Sequence, residues 1–248
     1  MGTLSFYMKK NLVFISLFLL NVCGCANLEN FKFHEKVSIG TGFFINEKGA
    51  LLTAYHVIKG KQYIYGKKNG IEKWEKLEVI TYDEKLDVAV LEMNGQTSST
   101  KISMWENIPI GMEVYVIGFP LPNIKNPQAK FTEGLINSNV GIKGNNKIFQ
   151  ISAGVQKGNS GGPVISPDGK IIGLVQKKLI PSNKSQDQPQ NINFAIKSDF
   201  FLPLLKKEKI NFYIEQADLG IKKRPFEIYN DLIDGIVVIK ASDDKLSL

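Results

Sequence analysis

Histidine and cysteine are both scarce, with two of each in 248 residues. A structural zinc centre gathers about four such ligands and a catalytic one about three, so no metal is expected, and the chain shows no motif for any other cofactor. Both cysteines, Cys23 and Cys25, fall near the N-terminus, which leaves everything after them without a disulfide. Blocks of basic charge are missing as well. Lys and Arg total 31 against 24 Asp and Glu, a net +7, yet they are scattered apart from pairs such as Lys67-Lys68 and the short Lys222-Lys223-Arg224. Nucleic-acid binding asks for a stripe or a recognised motif, so the excess reads as a solubility feature. There is no internal repeat, and the only low-complexity tract is the polar "PSNKSQDQPQN" at 181–191. The apolar run from Leu12 to Leu20 is short for a membrane-spanning helix.

That run sits in "MKKNLVFISLFLLNVCGC", where Lys9 and Lys10 come first and small residues last. This is the order of a secretory signal. Its end, "VCGC", is similar to the bacterial lipobox, in which a cysteine behind a small residue is lipidated and becomes the mature N-terminus. Cys25, behind Gly24, fits better than Cys23, behind Val22. Residues 1–25 are expected to be signal and lipobox and 26–36 a linker; the other reading of this segment is an uncleaved anchor. Both readings expect an exported protein held at a bacterial membrane, facing the periplasm or the exterior. Loss of Lys9 and Lys10 takes the charge from +7 to about +5 (7 − 2).

With 43% hydrophobic and 22% charged residues, the rest is composed like a globular domain and not like a disordered one. From 37 to 197, segments such as "SIGTGFFIN", "ALLTA", "DVAVLEM", "EVYVIGF", "KIIGLVQ" and "NINFAI" are rich in β-branched and aromatic residues and separated by turn signals. Many short strands at this spacing predict an antiparallel sandwich or barrels. "SPDGK" predicts a hairpin between "GPVI" and "IIGLV". In "SDFFLPLLKKEK", Ser198 is the expected N-cap and Phe201, Leu204 and Leu205 share a face, so a helix closes the β region in spite of Pro203. In the tail 207–248 only "GIVVIKA" reads as a strand.

Residues 158–163, "GNSGGP", crowd glycines around Ser160. A hydroxyl is a weak nucleophile until a base takes its proton, and two histidines leave little choice of base. His34 lies in the linker. His56 directly follows the apolar strand in "LLTAYHVI", where a strand end can present it to a cleft. An imidazole in that role needs a carboxylate behind it to fix its tautomer. "YDEKLDVAVLEM" supplies Asp83, Glu84 and Asp87, and Asp87, which opens the alternation, is the one placed for partial burial. Singly, each feature also has a plain reading: a surface turn, a structural histidine, a polar strand start.

Taken together, "GTGFFINEKGALLTAYHVI", "DEKLDVAVLEM", "VIGFP", "EGLINS" and "AGVQKGNSGGPVISPDGKIIGLV" resemble trypsin-like serine proteases, most of all the HtrA/Deg type, over about 37–200. The resemblance implies an all-β fold of two six-stranded antiparallel β-barrels, chymotrypsin-like, with a C-terminal helix and short tail, and a protease domain at 37–206. It implies His56 as general base, Asp87 as its orienting carboxylate and Ser160 as nucleophile, with the N–H groups of Gly158 and Ser160 as the oxyanion hole. The function implied is a serine endopeptidase of the cell envelope, acting on polypeptide substrates through an acyl-enzyme. A catalytically silent binding or chaperone-like lipoprotein, and an esterase, share the same motifs.

Gly154 stands six residues before Ser160, where tryptic relatives carry an aspartate. With Val175, Phe194 and Ile196 as apolar walls, the resemblance implies cleavage after small or medium aliphatic residues. Asn159 replaces the acid that zymogens use to order their site, so no second activating cut is expected. At 219–241 the tail has a faint likeness to the start of a PDZ domain, without room for a whole one. Relatives often form trimers through N-terminal aromatic contacts, for which Phe31 and Phe33 are candidates unless they pack on their own domain.

Overall fold

Period-two alternation places successive side chains on opposite faces of a strand, and most of the predicted segments become strands. The computed structural model describes residues 37–245, apart from 96, 106, 121–126, 177–191, 217 and 219. The signal and lipobox with Cys25, the linker with Phe31, Phe33 and His34, and the loop 181–191 lie outside the described residues. No described helix is long and apolar enough to cross a membrane.

Strands β1 (Val37–Phe44), β2 (Ala50–Ala54), β3 (Tyr63–Lys68), β4 (Glu75–Asp83) and β5 (Val88–Met93) form most of a first barrel. It closes only with β14 (Ile236–Ser242), in the order β1-β14-β3-β4-β5-β2. The second barrel contains β7 (Glu113–Gly118), β8 (Lys130–Ser138), β9 (Ile148–Ile151), β10 (Pro163–Ile165), β11 (Ile171–Val175) and β12 (Asn193–Lys197). Pairing of β10 with β11 closes its ring. β6 (Lys101–Met104) and β13 (Tyr213–Gln216) extend the second sheet beyond β11 by parallel pairing. The two six-stranded barrels implied by the resemblance are what the chain adopts.

Two helices follow strand ends. α1 (Tyr55–Ile58) is a single turn after β2, and α2 (Ser198–Lys207) follows β12 and buries Phe201, Leu202 and Leu205. Ser198 is not the N-cap; Lys197 holds that place. The Ser198 hydroxyl instead donates to the Ser103 carbonyl of β6 at 2.6 Å, because a buried hydroxyl takes whichever backbone acceptor the packing offers.

The segment 207–248, expected as a short extension beyond a domain ending at 206, belongs to the same compact unit, Lys36–Leu248. "GIVVIKA" is the strand it was expected to be, but it serves as the sixth strand of the first barrel rather than the opening of a new module. β14 pairs with β1 from Val37↔Ser242 to Phe43↔Ile236 and with β3 from Val237↔Lys68 to Ser242↔Tyr63. The cause is an edge: without β14, both β1 and β3 would leave a row of N–H and C=O groups unpaired. On the way there, the Lys223 N–H donates to the Pro167 carbonyl at 2.9 Å and Lys222 pairs with Glu113 at 2.8 Å. Helix α3 (Pro225–Leu232) then buries Ile228 and Leu232 and sets Tyr229 edge-on to Phe131 of β8 at 6.0 Å.

The predicted hairpin forms, with the Ser166 N–H donating to the Lys170 carbonyl at 2.9 Å and Gly169 at φ +84. Near its tip Asp168 is buried. Burial alone pushes its carboxyl up, but hydrogen bonds from the Ser166 hydroxyl, the Asp218 N–H (3.1 Å) and Lys170 (3.1 Å) outweigh this and hold it below the ordinary carboxylate value. A depressed folded-state pKa contributes stability that is present above the unfolded value of about 4 and is lost as pH falls through the folded one. Asp168→Asn is expected to cost about 2–3 kcal/mol at pH 7, the range for hydrogen bonds to a buried charge. Its melting temperature should approach that of the unsubstituted protein as pH falls below about 4. An equal deficit at pH 7 and at low pH would refute this.

Candidate active site

β2 and β5 are neighbours paired through Ala54↔Val88, so the residues just beyond that pair lie side by side. On one side β2 turns at once into α1, which carries His56. On the other, Asp87 immediately precedes β5. The Tyr55 N–H donates to the Asp87 carbonyl at 3.1 Å. Asp87 takes φ +63, a left-handed conformation in which aspartate is several-fold enriched. The carboxylate accepts the His56 N–H on Oδ1 at 2.8 Å and meets His56 Nδ1 with Oδ2 at 2.8 Å. A carboxylate facing Nδ1 keeps the proton there and leaves Nε2 as the acceptor. Asp87 is thus the residue before the strand, not its first member, and this displacement lets the side chain reach across.

The acids beside it are otherwise engaged. Asp83 accepts the Leu86 N–H at 2.9 Å, which caps the turn, and Glu84 pairs with Lys59 at the surface. Tyr55 stacks on Tyr82 with ring centroids 4.4 Å apart and planes 13° from parallel. Burial, followed by the neighbouring Tyr82 and Glu84, pushes the Tyr55 phenol up, so it stays protonated near neutral pH. The side chain of Asp87 is 17% exposed and that of His56 31%. The acid is sheltered while the base remains open to a ligand.

The serine comes from the second barrel. A turn from Gln156 to Asn159 is closed by the Asn159 N–H donating to the Gln156 carbonyl at 3.0 Å, with Gly158 at φ +103 and Lys157 on the negative side. That combination is a type II turn, whose third position favours glycine. Among the described residues, neither the Gly158 nor the Ser160 N–H finds a protein acceptor. Ser160 is 8% exposed, and its hydroxyl makes no hydrogen bond among the described residues, to His56 or to any other group. Nucleophile–base bonds are often loose before substrate arrives.

Backbone packing nevertheless brings the two segments together. A Cβ at Gly161 would lie 2.3 Å from the Thr41 carbonyl oxygen and 2.6 Å from Ala54 N; one at Gly40 would meet Val57 at 2.5 Å and the Ser160 carbonyl at 3.0 Å. Gly161, next to Ser160, therefore packs on the strand end that leads into His56, and Gly40 lies between Val57, next to His56, and the Ser160 carbonyl. An oriented imidazole, a hydroxyl and two free N–H donors can remove a proton from an alcohol and hold an oxyanion.

The four residues expected to line a substrate pocket do not share a surface. Gly154 is exposed, with only Thr132 Cγ2 at 4.0 Å from an added Cβ. Val175, with no exposed surface, belongs to the apolar cluster of Val114, Phe149 and Ala195 in the second barrel. Phe194 and Ile196, 3% and 0% exposed, belong to the other cluster. Alternation along β12 sends Ala195 to one core and its neighbours to the other, so apolar character here reports packing rather than pocket walls. Asn159 is 2% exposed, its Oδ1 buried without a partner among the described residues. Thr41, which the site also uses, carries no sequence signal beyond its place between Gly40 and Gly42.

The profile of the trypsin-like peptidase domain matches residues 40–174. The serine protease HtrA-like of Staphylococcus aureus is 30% identical over 213 residues, covering 75% of this chain and 25% of its own length. The serine protease Do-like HtrA of Lactococcus lactis is 27% identical over 199 residues, covering 75% and 48%. An uncharacterized protein, y4bJ, of Sinorhizobium fredii is 36% identical over 163 residues, covering 64% and 26%. The chain thus spans about a quarter to a half of the length of these relatives. In a crystal structure, the serine endoprotease from Yersinia pestis superposes with a TM-score of 0.57 at 25% identity, over 69% of this chain and 57% of that one.

Proposed function

The chain belongs to the trypsin-like peptidase family, of the HtrA type, and from that premise we propose that it is a serine endopeptidase acting on polypeptides through His56, Asp87 and Ser160. The observation that carries the reading is the His56–Asp87 pair, Nδ1 to Oδ2 at 2.8 Å. It leaves Nε2 free to take the Ser160 proton as Oγ attacks the scissile carbonyl carbon. Asp87 stabilises the imidazolium that forms and stays ionised. The carbonyl oxygen, now negative, is met by the N–H groups of Gly158 and Ser160, a contribution of about 3–4 kcal/mol per donor in comparable sites. His56 then gives its proton to the leaving amine, and water repeats the sequence to release the acyl group.

The segment ending at Cys25 supports export and lipid anchoring at a bacterial membrane. One experiment addresses both. In cells producing the full chain, a fluorophosphonate probe is expected to label the protein in the membrane fraction. Ser160→Ala should take no probe and leave casein intact, while Cys25→Ser should move the labelled protein to the soluble fraction. Label that stays with the membrane after Cys25→Ser would overturn the anchor. A second reading, a silent binding protein on the same fold, is favoured by the absence of a Ser160–His56 hydrogen bond among the described residues. An unsubstituted protein that takes no probe would establish it, and labelling with ester but no casein hydrolysis would point to an esterase.

A further inference from the structure

The two halves of the site ride on different barrels: His56 and Asp87 on the first, the Ser160 loop on the second. Something must fix one against the other to a fraction of an ångström, since catalytic groups tolerate little misplacement. One residue of β1 touches both sides. Thr41 has no exposed surface and makes four hydrogen bonds. Its hydroxyl donates to the Gly158 carbonyl at 2.7 Å and accepts the Phe119 N–H at 3.0 Å. Its own N–H donates to the Ser160 carbonyl at 2.9 Å, and its carbonyl accepts the Thr53 hydroxyl at 2.7 Å.

The hydroxyl's direction is not free. It has one proton, and the Phe119 amide can only donate, so that proton goes to Gly158. The carbonyls of both residues whose N–H groups would form the oxyanion hole are thereby held by a single residue of the opposite barrel. With these carbonyls fixed and the turn closed by Asn159, the Gly158 and Ser160 N–H groups remain without acceptors among the described residues. We propose that Thr41 is the positioning residue of the oxyanion loop, its hydroxyl setting the loop of the second barrel in register with the histidine of the first. This rests on the endopeptidase reading above.

The test compares Thr41→Val, which removes the hydroxyl at nearly constant shape, with Thr41→Ser, which keeps it, on a chromogenic peptide. Thr41→Val is expected to lower kcat by about 100-fold, the scale for losing one oxyanion donor, with KM within about threefold because ground-state binding does not use the hole. Thr41→Ser should recover most of the loss. Affinity for a peptide boronic acid, which presents the tetrahedral oxyanion, should fall in step with kcat. Thr41→Val leaves two buried polar groups unpaired; if it does not fold, Thr41→Cys, of similar size and a weaker donor, takes its place and should show an intermediate loss on the same readouts. A folded Val or Cys variant with kcat close to the unsubstituted protein, or one that loses only melting temperature, would overturn the positioning role and leave the endopeptidase reading intact. An unsubstituted protein without hydrolysis would overturn both.

Discussion

Asp87→Asn is expected to lower kcat by about 10⁴-fold while the protein keeps its fold, as the loss of tautomer control does in comparable triads. Asparagine is the informative replacement because it tolerates the φ of +63 that Asp87 adopts, so the backbone turn survives. Its amide oxygen can still accept the His56 N–H, which Asp87 Oδ1 accepts at 2.8 Å. Its NH₂ then faces Nδ1 and needs an acceptor there. The ring proton moves to Nε2, and the nitrogen proposed to receive the Ser160 proton already carries one. Steady-state hydrolysis of a peptide substrate, alongside a melting curve, measures this. A loss below tenfold with unchanged melting would mean that Asp87 does not govern the imidazole.

Ending the chain at Gly235 is expected to abolish cooperative unfolding altogether. Ile236, Val237, Val238 and Ile239 of β14 are at most 2% exposed. At about 1.5–3 kcal/mol for each large apolar side chain, they contribute about 6–12 kcal/mol, against a net stability of about 5–15 kcal/mol for a whole domain. The deletion also exposes the edges of β1 and β3, which invites association with other chains. A truncated protein that remains monomeric and shows a sharp urea transition would refute the assignment of β14 as an integral strand.

What could be read from the sequence was local or fell in contiguous motifs. "SPDGK" folds as a hairpin because its glycine and aspartate supply the turn within five residues. His56 and Asp87 could be read because each stands at the end of an apolar run, and the runs are neighbouring strands. The destination of "GIVVIKA" could not be read, since an apolar strand shows that it will be buried without showing which open edge will take it. Val175, Phe194 and Ile196 were misleading for a related reason: hydrophobicity does not distinguish a core facing inward from a pocket facing a ligand. Thr41 is invisible because its value lies in partners 117 residues away along the chain, at Gly158.

The pairing of β1 with β14 joins Val37 to Ser242, 205 positions later (242 − 37). A polypeptide emerging N-terminus first from a ribosome carries His56 and Asp87 on a half-shell with one gap until β14 arrives. Closing so long a loop is slow compared with local hairpins. The first barrel is therefore complete only once residue 242 has emerged, and a shorter nascent chain holds the His56–Asp87 pair on an unclosed sheet.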